Sequence, residues 1–330
     1  MTGAFPRIAQ IGCGHWGKNL ARNFAQLGAL VAISDGHEPT ASRISAEHGV
    51  PALSFDAVLA DRNIDAIALA TPAVAHATMA LQALAAGKHV FVEKPLALAP
   101  ADAERVIAAA AAADRVLMVG HLLQYSPIFL ALRDLVRGGE LGTLQYLYSN
   151  RLSLGKFRTE ENVLWSFAPH DISMLLALVG EAPDAVTAEG AAFVTPGIAD
   201  WATCHMRFPS GARAHVTTSW LHPFKEQRLV AIGDKMMAVF EDSQPEWGRR
   251  LALYRHGIDR SGAAPTPVKG EAEYIAVTEA EPLRAECLHF LDSIAKRQSP
   301  RTDGHEGLRV LRVLDAAETA LRASLEGVAV

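Results

Sequence analysis

The stretch IAQIGCGHWGKNLARNFAQLGALVAISD, from Ile8 to Asp35, constrains this chain more than any other. A short apolar run, Arg7 to Ile11, reads as a buried strand by its length. It leads into Gly12, Gly14 and Gly17 in the spacing G-x-G-x-x-G. Leu20, Phe24 and Leu27 then recur at helical spacing, and Gly28 is a stop. A second apolar run ends at Asp35, eighteen residues after Gly17. Strand, glycine turn, helix, strand and acid in this order predict a dinucleotide-binding unit, where the bare glycine spacing would not. Gly12 permits the tight turn, Gly14 lets backbone approach a pyrophosphate, and Gly17 lets helix and strand pack closely. His15 and Trp16 sit inside the turn and are counted with the cofactor. The free N–H groups of the helix start favour phosphate. A carboxylate at Asp35 accepts hydrogen bonds from ribose hydroxyls and repels a 2′-phosphate. No Arg or Lys follows directly in DGHEP, so the reading is NAD rather than NADP.

The alternation continues beyond this unit. AIALATP reads as a strand ending at Thr71-Pro72, and HVFVEKP as one ending at Glu93-Lys94-Pro95. Between them lies the helix HATMALQALAAG, with His76 at its head. RVLMVGHLLQY is a further strand that delivers His121. Repeated β-α-β units predict a parallel sheet covered on both faces, with ligands at the carboxyl ends of the strands. Gly12, Asp35, Thr71, Pro72, His76, Glu93 and Lys94 fall at such ends and form the expected cofactor set. Past residue 122 the pattern changes to period-two runs broken by Gly, Pro and Asp, which predicts antiparallel strands. The fold class is therefore α/β: a Rossmann domain over residues 1–122, then an α+β domain over 123–330 on a large, mostly antiparallel open sheet.

Composition narrows the partners. A net charge of −5 without long runs of one sign argues against nucleic acid and anionic membrane. The three cysteines are scattered, no metal-ligand spacing occurs, and no apolar run reads as a leader or a membrane span. The expectation is a cytoplasmic protein without a metal.

The segments GKHVFVEKPLAL, APHDI and DGHEGLRVLRVLDAAETALRAS give a resemblance. They resemble the glucose–fructose oxidoreductase/inositol dehydrogenase family of NAD(P)-dependent sugar oxidoreductases, over essentially the whole chain. The resemblance implies oxidation of a secondary alcohol, with a sheet face that joins subunits into a homo-dimer or tetramer. It matches Lys94 to the family lysine and His170 to the family histidine, and it places Glu93 on the nicotinamide ribose. His170 is then the base and Lys94 the electrostatic partner of the substrate oxygen, roles that sequence leaves exchangeable. Many members carry Asp one helical turn before the histidine. Here that position is Ser166, which hydrogen-bonds an imidazole but does not stabilise an imidazolium as a carboxylate does. Asp171, next to His170, points elsewhere on a helix.

Arg151, Lys156 and Arg158 gather positive charge upstream of His170, which suits an anionic substrate. The block around them is similar to nucleotide-sugar members such as UDP-N-acetylglucosamine 3-dehydrogenases. That implies oxidation at C3 ahead of amination, in lipid A or polysaccharide synthesis. His121, Gln124 and Tyr125 are expected at the domain junction, bonding sugar hydroxyls. Two other readings stand beside this one: a dehydrogenase or reductase of a free sugar or inositol, and an NAD-sensing protein without turnover.

Overall fold

The computed structural model describes residues 5–155 and 157–326. It divides into two compact units, one of residues 1–125 with 281–311 and one of residues 126–280 with 312–330.

The first unit alternates strand and helix: β1 (Ile8–Ile11), α1 (Gly17–Gln26), β2 (Leu30–Ser34), α2 (Glu38–His48), α3 (Phe55–Ala60), β3 (Ala66–Leu69), α4 (Ala73–Ala85), β4 (His89–Glu93), α5 (Pro100–Ala112) and β5 (Leu117–Gly120). Its strands pair in the order β2-β1-β3-β4-β5, every pair parallel. All four residues of β1, β3 and β5 are buried, as strands covered on both faces must be. The register sets Ile11 beside Ser34 and Leu69, and Glu93 beside Gly120. The carboxyl ends thus form one edge. The strand order reverses between β1 and β3, where a doubly wound sheet opens its ligand crevice.

In the second unit, α6 (Pro127–Arg137), β6 (Leu144–Leu152) and α7 (Val163–Val179) precede the strands β7 (Ala185–Ala191), β8 (Trp201–Arg207), β9 (Arg213–Ser219), β10 (Glu226–Gly233), β11 (Met237–Glu241) and β12 (Leu251–Tyr254). A small hairpin of β13 (Gly257–Asp259) and β14 (Thr266–Val268) and the edge strand β15 (Ala272–Tyr274) follow. The main sheet runs β15-β12-β11-β10-β6-β9-β8-β7, antiparallel except where β6 meets β9. Leu147, Ser149 and Arg151 of β6 are buried, while Tyr146, Tyr148 and Asn150 alternate onto the half-open face. There Tyr148 stacks on His215 of β9, centroids 5.5 Å apart.

The chain then supplies α8 (Pro282–Lys296) and α9 (Gly304–Glu326). A single cut at residue 122 assigns both to the second domain. The structure corrects this: residues 281–311 belong to the first unit, whose chain-initial part extends to Tyr125. The cause is the apolar face of α8. Leu283, Cys287, Phe290 and Leu291 are buried in the cluster around Phe24 and Phe91, and Phe290 meets those rings edge-on at 6.5 and 5.8 Å. At full burial each such side chain contributes about 1.5–3 kcal/mol, so this helix closes the first unit's core. Among the described residues no helix is long and apolar enough to cross a membrane.

Candidate active site

Local backbone builds the glycine turn. Gly12 has φ +79°, and a Cβ there would lie 2.6 Å from the Ala70 carbonyl oxygen. A Cβ on Gly17 would lie 2.0 Å from the Gly12 oxygen, which lets α1 start against the turn. A Cβ on exposed Gly14 would meet nothing within 4 Å, so backbone there is open to a ligand. No side chain caps α1, and its first turn holds no acid, leaving its positive end for an anion.

Asp35 closes this edge. Its Oδ2 accepts from the Cys13 amide at 2.6 Å and its Oδ1 from the His37 amide at 2.8 Å. Each oxygen keeps a second lone pair for a ribose hydroxyl. Burial, helped by the Asp35 charge, pushes the Cys13 thiol up to about 12, so it stays neutral beside the phosphate turn. Thr71 follows β3, and its hydroxyl is buried without a hydrogen-bond partner in the chain. Pro72 caps α4. These groups fit a dinucleotide.

At the end of β4, Glu93 Oε1 accepts from the indole Nε1 of Trp16 at 2.5 Å. Its carboxyl packs 3.0 Å from where a Cβ on Gly120 would be. Burial raises Glu93 to about 7, against the pull of Trp16 and Lys94. Lys94 is half-buried beside it, and His15 and Trp16 are exposed on the turn. His76 departs from expectation: it is 1% exposed, and both ring nitrogens meet backbone carbonyls. It is a correction to the cofactor-contact reading.

The three residues expected to bind sugar are also corrected. His121 is 2% exposed and its Nδ1 meets Glu306 at 2.5 Å. The buried Gln124 amide reaches the same carboxylate at 3.4 Å. Tyr125 is buried, its hydroxyl 2.9 Å from His289 and 3.2 Å from Thr302. All three serve a polar network with α8 and α9 inside the first unit. Sequence reading missed its acids. Glu306 anchors His121, and Glu286 of α8 is fully buried with neither oxygen hydrogen-bonded. Burial, reinforced by the like charges of Glu93 and Glu306, raises Glu286 well above the carboxylate range. The signal was present: Glu286 falls on the apolar face shared by Leu283, Cys287 and Phe290. A cavity of about 300 Å³ lies at the other, amino end of the sheet, lined by His89, Leu117 and Arg297.

In the second unit, Asn162 caps α7 by accepting from the Leu164 and Trp165 amides. Ser166 and His170 stand one turn apart on that helix, Ser166 buried and His170 half-buried. Asp171 turns inward as expected. It takes Arg151 Nε at 2.5 Å and Nη2 at 3.2 Å, and the Ser149 hydroxyl at 2.5 Å. Arg151 is therefore spent on a buried ion pair, and its assignment to a substrate anion is corrected. Arg158 is exposed and pairs with Glu161 at 3.0 Å. Lys156 lies outside the described residues. Among the described residues no cluster of three or more His, Cys, Asp or Glu is placed to hold a metal.

A doubly wound sheet with this turn, an acid just past β2 and a lysine just past β4 fits the class of NAD-dependent oxidoreductases acting on CH–OH. The chain belongs to the Gfo/Idh/MocA oxidoreductases. The NAD-binding Rossmann model of that family matches residues 6–121, and its C-terminal domain model matches 129–239. The chain is 31% identical to UDP-N-acetylglucosamine 3-dehydrogenase of Acidithiobacillus ferrooxidans, over 97% of this chain and 98% of that one. It is 29% identical to myo-inositol 2-dehydrogenase of Thermotoga maritima, over 96% of each. A solved structure of the Acidithiobacillus enzyme superposes with a TM-score of 0.85, at 29% identity and covering 97% and 98% of the two chains. This membership sets aside the reading as a sensor without turnover.

Proposed function

We propose that this chain oxidises a secondary hydroxyl of a nucleotide sugar, C3 of UDP-N-acetylglucosamine, to the ketone. The observation that carries the reading is the end-to-end similarity to the Acidithiobacillus enzyme. NAD, when bound, would supply a two-electron acceptor able to receive the carbinol hydrogen as hydride. Gly12, Gly14 and Gly17 hold the pyrophosphate, Asp35 the adenosine ribose, and Thr71, Glu93 and Trp16 the remainder. His170 accepts the hydroxyl proton, and the Lys94 ammonium donates to the oxygen as it becomes negative. Ser166 orients the imidazole without adding charge. Pairing through the open sheet face and a cytoplasmic place complete the reading.

A free polyol is the second reading, because Arg151 is committed to Asp171 and Arg158 to Glu161, which leaves the diphosphate fewer cations than the sequence promised. Initial rates of NADH formation with UDP-N-acetylglucosamine, a dTDP-sugar, myo-inositol and free N-acetylglucosamine separate the two. A ketone trap is included because the oxidation runs uphill. Turnover confined to the uncharged polyols would replace the first reading by the second.

A further inference from the structure

His76 lies in the first turn of α4, buried between two loops of the cofactor edge. Its Nε2 is 2.8 Å from the Thr71 carbonyl and its Nδ1 is 2.7 Å from the Pro95 carbonyl. Thr71 begins the loop that abuts the Gly12 turn, where the Thr71 nitrogen would be 3.0 Å from a Cβ on Gly12. Pro95 follows Lys94 and Glu93, and Glu93 returns to the same turn through Trp16. The contacts close a ring: Gly12, Thr71, His76, Pro95, Glu93, Trp16. Lys94 is held on that ring, and His76 is its one side chain bridging two carbonyls.

From this geometry we infer that His76 is a positioning residue that fixes Lys94 against the cofactor turn and touches neither cofactor nor substrate. The inference rests on the proposed role of Lys94. A neutral imidazole donates from one nitrogen, so it serves one carbonyl and sets a lone pair against the other; an imidazolium serves both. Burial, with the Lys94 charge, lowers the ring's proton affinity, while the two carbonyls raise it. In the neutral ring one nitrogen donates to one loop while the ring packs against the other, and only the imidazolium donates to both. A side chain of similar bulk without a donor frees the Lys94 loop, and a displacement near 1 Å costs as much as a hundredfold in rate.

The test uses the full chain with His76→Phe and His76→Asn, which cannot bridge, and His76→Gln, whose amide can donate. Three quantities are read: NAD affinity by calorimetry, kcat against KM on the best substrate, and the rate at which acetic anhydride labels Lys94 by mass spectrometry, with Lys18 and Lys225 as internal references. In His76→Phe or His76→Asn, Lys94 labels severalfold faster while the references hold. Then kcat falls about tenfold to a hundredfold at near-constant KM and NAD affinity, and His76→Gln recovers most of the loss. Unchanged Lys94 labelling and kcat per folded molecule would reduce His76 to packing. A loss of NAD affinity with kcat intact would make it a cofactor contact. Labelling and calorimetry decide the question even if no sugar turns over, so failure of the proposed function is distinguishable from failure of this inference.

Discussion

Replacing Glu93 by Gln exchanges stability for function in a way the structure quantifies. The Glu93 carboxyl stands at about 7 in the fold against an ordinary 4.5, with burial as the main cause. A carboxyl raised by folding binds more protons folded than unfolded. Its stabilising protonation is fully present below about pH 4.5 and is lost as pH rises to about 7. At about 1.4 kcal/mol per pH unit, the gap from 4.5 to about 7 costs at most about 3–4 kcal/mol of stability at and above neutrality. Glutamine keeps an oxygen for the Trp16 indole and carries no titrating proton. Glu93→Gln should therefore match wild type near pH 4, gain through the window, and level off at about 3–4 kcal/mol by pH 8. Urea unfolding read by amide exchange in Val90–Glu93 follows this unit alone. Cofactor affinity should fall in the same variant. A stability change that does not vary with pH, or one that grows more unfavourable as pH rises, would refute the reasoning.

The other predictions concern charge. Glu286→Gln should raise stability with the same sign, since burial and two like charges lift that acid well above its ordinary range; thermal melts at acid and alkaline pH read it. Arg151→Ala strands Asp171 and should cost about 3–5 kcal/mol, with the substrate KM of the folded fraction unchanged; a KM rise of tenfold or so at full stability would return Arg151 to the substrate. Asp35→Asn with Gly36→Arg should compress the preference for NAD over NADP by roughly tenfold or more, because repulsion of the 2′-phosphate is replaced by attraction. Tighter binding of NADP than NAD by wild type in calorimetry would overturn that argument.

What sequence revealed and what it hid divide along contact range. The glycine turn, Asp35 and Glu93-Lys94-Pro95 were legible because each is decided within one β-α-β unit, where spacing alone sets the strand end. Ser166 and His170 were legible as a helical pair for the same reason. Arg151 misled because its partner is Asp171, twenty residues on and across from β6 to α7, so exposure was assumed where a buried pair exists. His121 misled because its partner is Glu306, 185 residues away. The α8 assignment failed because an amphipathic helix declares that it has a core face but not whose core it joins. His76 needed both: the sequence marked it as a cofactor contact, and only the structure shows its ring nitrogens held at two backbone carbonyls.

The proposed chemistry has Lys94 and His170 act on a sugar hydroxyl presented to bound NAD. It is tested most directly by absorbance at 340 nm with NAD, UDP-N-acetylglucosamine and a ketone trap, comparing wild type with Lys94→Met and His170→Ala. Each variant should bind NAD normally by calorimetry and lose about a hundredfold or more in kcat. Wild-type turnover in either variant would contradict the account.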